Sequence, residues 1–105
     1  MTVLNAAALT KAGRKNAPLQ KALEKWLQTA EAAEWHSLRD VRLTFPSADG
    51  VTVKGGGVEV VATVFNIKGN EYRLITIINY PLATVLVCDV LTHAEYDKGQ
   101  WKDRL

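Results

Sequence analysis

The sequence is short of almost everything that marks a secreted, membrane or metal-binding protein. One cysteine, Cys88, stands in 105 residues. It rules out an internal disulfide and fits a reducing compartment. No apolar run approaches the roughly 18 residues needed to cross a bilayer, so no membrane role is expected. The start, Met1-Thr2-Val3-Leu4-Asn5, has no basic flank before a long apolar stretch, so a signal peptide is not expected. The cytoplasm is the default. There is no Cys-x-x-Cys and no pair of histidines at ligand spacing, which argues against zinc. No Gly-x-Ser-x-Gly elbow is present for a hydrolase serine, and no cofactor is implied.

The length suits one domain, residues 1–105, because two cores would each bury too little surface. With 48% hydrophobic and 23% charged residues, the chain is globular rather than disordered. A net charge of +2 is too small to argue for nucleic acid by itself. Its distribution says more. No acidic residue precedes Glu24, whereas Lys11, Arg14, Lys15 and Lys21 all lie there. Such a cluster could face phosphates or an acidic partner; the plainer reading is a solvated helix surface.

Thr2-Val3-Leu4 reads as a short edge strand, with Asn5 capping a first helix. Gly13 and Asn16 mark the end of that helix, and Pro18 opens a second. Leu19, Leu23, Trp26, Leu27, Ala30 and Ala33 then recur at helical spacing, with polar residues on the other face. Residues 35–46 are irregular or hold one short helix, anchored by Leu38, Val41 and Phe45. Residues 47–50 read as a turn, and Gly55-Gly56-Gly57 as flexible. The three glycines do not make a phosphate cradle, because a β-rich run follows where a Walker loop needs Lys-Ser/Thr and a helix.

Val58–Ile67 and residues 71–80 are β-branched and apolar around Gly69-Asn70, which predicts an antiparallel hairpin with a primed two-residue turn. That register sets Lys68 against Glu71, Ile67 against Tyr72, Asn66 against Arg73 and Phe65 against Leu74. Polar meets polar and apolar meets apolar, as cross-strand pairing prefers. Residues 85–91 form a third long strand. Cys88 within it reads as a buried, inert thiol, and His36 carries no pattern that singles it out.

Two places could carry chemistry. Thr92 and Glu95 match a capping box, so a helical turn should start straight after the last strand, with His93 and Tyr96 on one face. A helix N-terminus favours neutral imidazole, which can accept a proton; the plainer readings are a surface histidine and a packing tyrosine. Arg73 sits among Leu74, Ile75, Ile77 and Ile78. Burying it unpaired is costly, so it must meet a carboxylate, the sheet rim or a ligand. Its fork suits phosphate; the plainer reading is a salt bridge to Glu71 or Asp89. Together with nearby lysines these groups would suit metal-free RNA cleavage. There the ribose 2′-hydroxyl attacks the adjacent phosphate, and a base, an acid and cations are required.

The segments Phe65-Asn66-Ile67-Lys68-Gly69-Asn70-Glu71-Tyr72-Arg73-Leu74-Ile75 and Thr92-His93-Ala94-Glu95-Tyr96-Asp97-Lys98 resemble the signature of HigB-type toxins. Trp35 and Phe45-Pro46-Ser47-Ala48-Asp49 fit upstream in the right order, so the resemblance covers roughly residues 19–101. It implies a RelE-like α+β fold, with two N-terminal helices packed on a small, mostly antiparallel sheet and a short C-terminal helical turn. It further implies an endoribonuclease acting on mRNA at the translating ribosome and neutralised by a helix-turn-helix antitoxin. The residues matching the motif with suitable chemistry are Arg73, His93 and Tyr96, with Lys68, Asn70 and Lys98 as substrate contacts. A rival expectation is a RelE-like module that binds antitoxin or ribosome without cutting. It is suggested by Glu71, Glu95, Asp97 and Asp103, which would repel phosphate.

Overall fold

The computed structural model describes residues 1–14, 16–55 and 57–105. Lys15 of the basic cluster and Gly56 of the glycine run lie outside the described residues. The elements run β1 (Thr2–Leu4), α1 (Ala7–Gly13), α2 (Ala17–Ala32), α3 (Leu38–Thr44), β2 (Asp49–Gly55), β3 (Val58–Ile67), β4 (Tyr72–Asn79), β5 (Thr84–Thr92) and α4 (His93–Lys98), then a 3-10 turn, Gln100–Arg104. The class is α+β. The five strands form one mixed sheet in the order β1-β5-β4-β3-β2. Every neighbouring pair is antiparallel except β1 beside β5. Among the described residues, no helix is long and apolar enough to cross a membrane.

The apolar stripe of α2 forms as its spacing predicts. Leu19, Leu23, Trp26 and Ala30 are buried, while Leu27 and Ala33 pack at the margin. Asn16 accepts the Leu19 N–H at 3.0 Å, so this residue starts α2 as well as marking the end of α1. Pro18 falls in the first turn, where its missing N–H is no loss. The helices cover one face of the sheet, against Phe65, Ile67, Leu74, Val85 and Val87. Trp26 meets Phe65 edge to face at 5.3 Å.

Asn5 does not cap α1. It holds φ +61° and donates from Nδ2 to the Val87 carbonyl at 3.0 Å. The cap position is Ala6, with no side-chain bond. A short polar side chain tolerates the left-handed region, and here it ties the β1 exit to β5 instead of serving the helix.

The β3–β4 hairpin has the register that side-chain matching predicts: Phe65 opposite Leu74, Asn66 opposite Arg73 and Ile67 opposite Tyr72. Gly69 stands at φ +65°, and the Glu71 N–H reaches the Lys68 carbonyl at 3.4 Å to close the turn. β2 is an element that the reading of turns and flexible glycines missed. It pairs with β3 from Asp49 opposite Val64 to Gly55 opposite Val58. The signal was the alternation of Val51 and Val53 with Thr52 and Lys54; Val53 is buried and Thr52 and Lys54 are exposed.

One irregularity decides what the second face carries. Ile75 pairs with Asp89 and Thr76 with Val87, so Cys88 is an extra residue in β5. Such a bulge reverses the in–out parity of the strand beyond it. Val85 and Val87 face the helices, whereas Leu91 joins Val53, Ala62, Val64 and Ile75 on the opposite face. Trp101 covers that second cluster. Cys88 is half-buried rather than buried; burial, then Asp89, pushes its thiol pKa up, which fits an unreactive sulfur.

The capping box is complete. The Glu95 N–H donates to Thr92 Oγ1 at 3.1 Å, and the Thr92 N–H to Glu95 Oε1 at 3.0 Å. Loss of the hydroxyl in Thr92→Ala should cost about 1 kcal/mol, read from denaturant melts. The backbone N–H of Thr92, then its side chain, lowers the Glu95 pKa from its ordinary 4.5. A lowered carboxylate contributes stability above that ordinary value and loses it as pH falls through the folded value. Wild type should therefore lose more stability than Glu95→Gln between neutral and acidic pH, and equal losses would contradict this role. At the far end of α4, Gly99 adopts φ +75°, the left-handed turn that sends the chain back so Trp101 reaches the sheet.

Candidate active site

The second face of the sheet holds a polar cleft of about 500 Å³, lined by Arg42, Pro46, Ser47, Ala48, Asp49, Val64, Asn66, Arg73 and Tyr96. Three pieces of chain build it. The hairpin register sets Asn66 beside Arg73. The stretch from the end of α3 to the start of β2 brings Arg42, Ser47 and Asp49, and α4 delivers Tyr96.

Arg73 is the unusual group. The residue is buried, at 8% exposure. Nη1 donates to the carbonyls of Asn70 at 3.2 Å and Tyr72 at 3.1 Å, and Nη2 donates to Asn70 Oδ1 at 2.7 Å. A guanidinium has five N–H donors. Three are used this way, which leaves Nε–H and the second Nη2 hydrogen without a partner among the described residues. The carboxylates that could have neutralised it are engaged elsewhere. Glu71 pairs with Lys68 at 3.0 Å, and Asp89 with Arg104 at 2.7 Å. Among the described residues, no carboxylate lies within 4.0 Å of Arg73. Its hydrogen-bond partners are therefore neutral amide oxygens, and the residue lines the cleft.

Tyr96 packs beneath that charge. The Arg73 guanidinium carbon lies 5.7 Å from the phenol ring centroid. On its other side Tyr96 stacks on Trp101 at 5.3 Å with 15° between planes, and the Trp101 indole N–H donates to the Tyr96 carbonyl at 3.2 Å. Burial pushes the Tyr96 pKa up; Asp49 and Asp97 act in the same direction and Arg73 against them. The phenol therefore stays protonated at neutral pH and can donate.

The remaining expected residues are dispersed. Asn70 orients Arg73 through its side chain and its carbonyl, so it acts on the cleft through the arginine. Lys68 is tied to Glu71 at the hairpin turn. The His93 Nδ1 sits 2.9 Å from Asp97 Oδ2, half-exposed, and its backbone N–H donates to the Glu71 carbonyl at 2.9 Å. His93 borders the turn and does not line the cleft. Lys98 lines a separate depression with Leu91, Glu95, Gln100, Trp101 and Arg104.

Arg42, Asn66, Ser47 and Asp49 were not singled out by sequence. Asn66 was within reach, because the register already set it opposite Arg73. Arg42 was not, because residues 35–46 offer no periodicity that orients it. A larger groove of about 560 Å³ lies on the same face, lined in part by Ile75, Ile77, Leu86, Cys88 and Trp101. Its charged rim residues, Asp89 and Arg104, neutralise each other, so it presents no free cation.

The chain is an α+β protein whose sheet is backed by helices on one face and carries a polar cleft with a buried arginine on the other. Comparison with family models makes this specific: the model for HigB toxins, described as the RelE-like toxic component of a toxin-antitoxin system, matches residues 19–99. The chain belongs to this family. A search of curated proteins returns no match.

Proposed function

We propose that the chain is the toxin of a type II toxin-antitoxin pair and cleaves mRNA on the translating ribosome by metal-independent transesterification. The observation that carries this reading is Arg73, a buried cation that lines a polar cleft and has, among the described residues, free donors and no carboxylate partner. Phosphate is the anion whose geometry its fork matches.

The chemistry follows from the groups present. The 2′-hydroxyl attacks the adjacent phosphorus, and the 5′-oxygen of the next nucleotide leaves. The products are a 2′,3′-cyclic phosphate and a 5′-hydroxyl. Arg73 stabilises the charge that builds on the phosphoryl oxygens, where fixed donors in a desolvated site act most strongly. Tyr96, kept protonated by burial, orients the substrate or donates to the leaving oxygen. His93 shuttles a proton from the rim. With Nδ1–H held by Asp97, Nε2 is the nitrogen free to accept. Asn70 fixes Arg73, while Lys68 and Lys98 meet more distant phosphates along the strand. The partner that silences the toxin is a helix-turn-helix antitoxin, which prevents access to message or ribosome.

Induced expression in a bacterium lacking the antitoxin tests this reading. Growth should stop, with cellular mRNA shortened; co-expression of a helix-turn-helix antitoxin encoded beside the toxin should restore both. Growth arrest with intact mRNA would favour the binding module that does not cut.

A further inference from the structure

Resting on the nuclease reading of the same cleft, we infer that Arg42 is a second phosphate site and that Asp49 is its displaceable counter-ion. Two features of Arg42 support this. Its Nε–H donates to the Ala48 carbonyl at 2.9 Å, which pins the last turn of α3 to the following turn and fixes the guanidinium in the cleft. The opposite side of the fork faces Asp49 loosely, with Nη2 to Oδ1 at 3.6 Å, longer than a hydrogen bond.

Both partners are half-exposed or more, at 49% and 65% for the side chains. An ion pair so solvated contributes little and gives way to a better anion. Arg73 and Arg42 line one cleft of about 500 Å³, but they differ in kind. Arg73 is buried, unpaired and suited to the reacting phosphate. Arg42 is exposed, pinned at one edge and suited to holding a neighbouring phosphate of the same strand. The ligand class is therefore single-stranded RNA with consecutive phosphates, not a mononucleotide.

The rival explanation is a brace that only fastens α3 to β2. The two accounts predict different signs. If the pair is a brace, Arg42→Ala and Asp49→Asn act alike. If Asp49 competes with phosphate for Arg42, they act oppositely. The probe is a fluorescent single-stranded 2′-O-methyl oligoribonucleotide, which cannot be cleaved, followed by anisotropy over a range of salt. Arg42→Ala should weaken binding about tenfold and reduce the salt slope by about 0.7. Asp49→Asn should tighten binding about threefold and melt near wild type, whereas Arg42→Ala, which loses the bond to Ala48, should melt lower but remain folded at the temperature of the binding assay.

Changes of the same sign, no change in either variant, or no binding of this probe by wild type at low salt would each overturn the inference. The readout does not depend on cleavage. A chain that binds as stated but leaves translated mRNA intact fails the nuclease reading alone. A chain that cuts message but is indifferent at both positions fails only this inference.

Discussion

Replacing Arg73 with methionine should lower the rate of RNA cleavage by about 10²–10³-fold, the loss typical of removing one donor to a developing oxyanion, while leaving the protein folded. The second half of that expectation is the less obvious one. The arginine makes three hydrogen bonds to the hairpin turn, and losing them destabilises. Against this, the wild type buries a full charge without a carboxylate to offset it, and methionine removes that desolvation penalty at similar length. Asn70 is exposed, so water reaches the two Asn70 oxygens left behind, and Tyr72, whose carbonyl is the third, is partly exposed. The net change should stay within about 1 kcal/mol of wild type. Denaturant melts and single-turnover cleavage of the same preparations measure both halves. A variant that unfolds would make Arg73 a structural group; one that cuts at the wild-type rate would remove it from the site.

Trp101→Ala should cost about 3–5 kcal/mol, the range for emptying a buried aromatic site. Trp101 is 2% exposed and covers Val53, Ala62, Val64, Ile75 and Leu91. The effect should reach the site, because Trp101 backs the Tyr96 ring and donates to its carbonyl. Trp101→Phe keeps a ring for packing but removes the N–H, so it should retain most stability and still reduce turnover. If that variant cuts at the wild-type rate, the indole bond does not position Tyr96. Chemical denaturation followed by the remaining tryptophans separates the two consequences.

What could be read from the sequence was local. The α2 stripe, the hairpin register and the Thr92–Glu95 capping box depend on neighbours within a turn or across one tight loop, so residue types alone specify them. β2 escaped because Asp49-Gly50 and the glycines at its far end have turn chemistry, although Val51 and Val53 alternate correctly. The Asn5 cap failed for a tertiary reason: its side chain goes to Val87, far along the chain. The bulge at Cys88 has no signature in an apolar run, yet it turns Leu91 toward the face that Trp101 covers. The same limit holds at the site. Arg73 was visible as an arginine among isoleucines, and Tyr96 as a residue sharing a face with His93 on the capped turn. That Arg73 lacks a carboxylate emerges only when Glu71 and Asp89 are seen paired elsewhere. Arg42 and Asp49 enter the cleft from a helix and a strand edge that sequence periodicity did not define.

The most direct test is a cell-free bacterial translation reaction with a defined message, cuts mapped by primer extension and their ends characterised, with wild type beside Arg73→Ala. Cuts that require translation, carry a 5′-hydroxyl and a 2′,3′-cyclic phosphate, and vanish in the variant are the predicted result. Intact message at high concentrations of folded wild-type protein, or equal cutting by both proteins, would contradict the account.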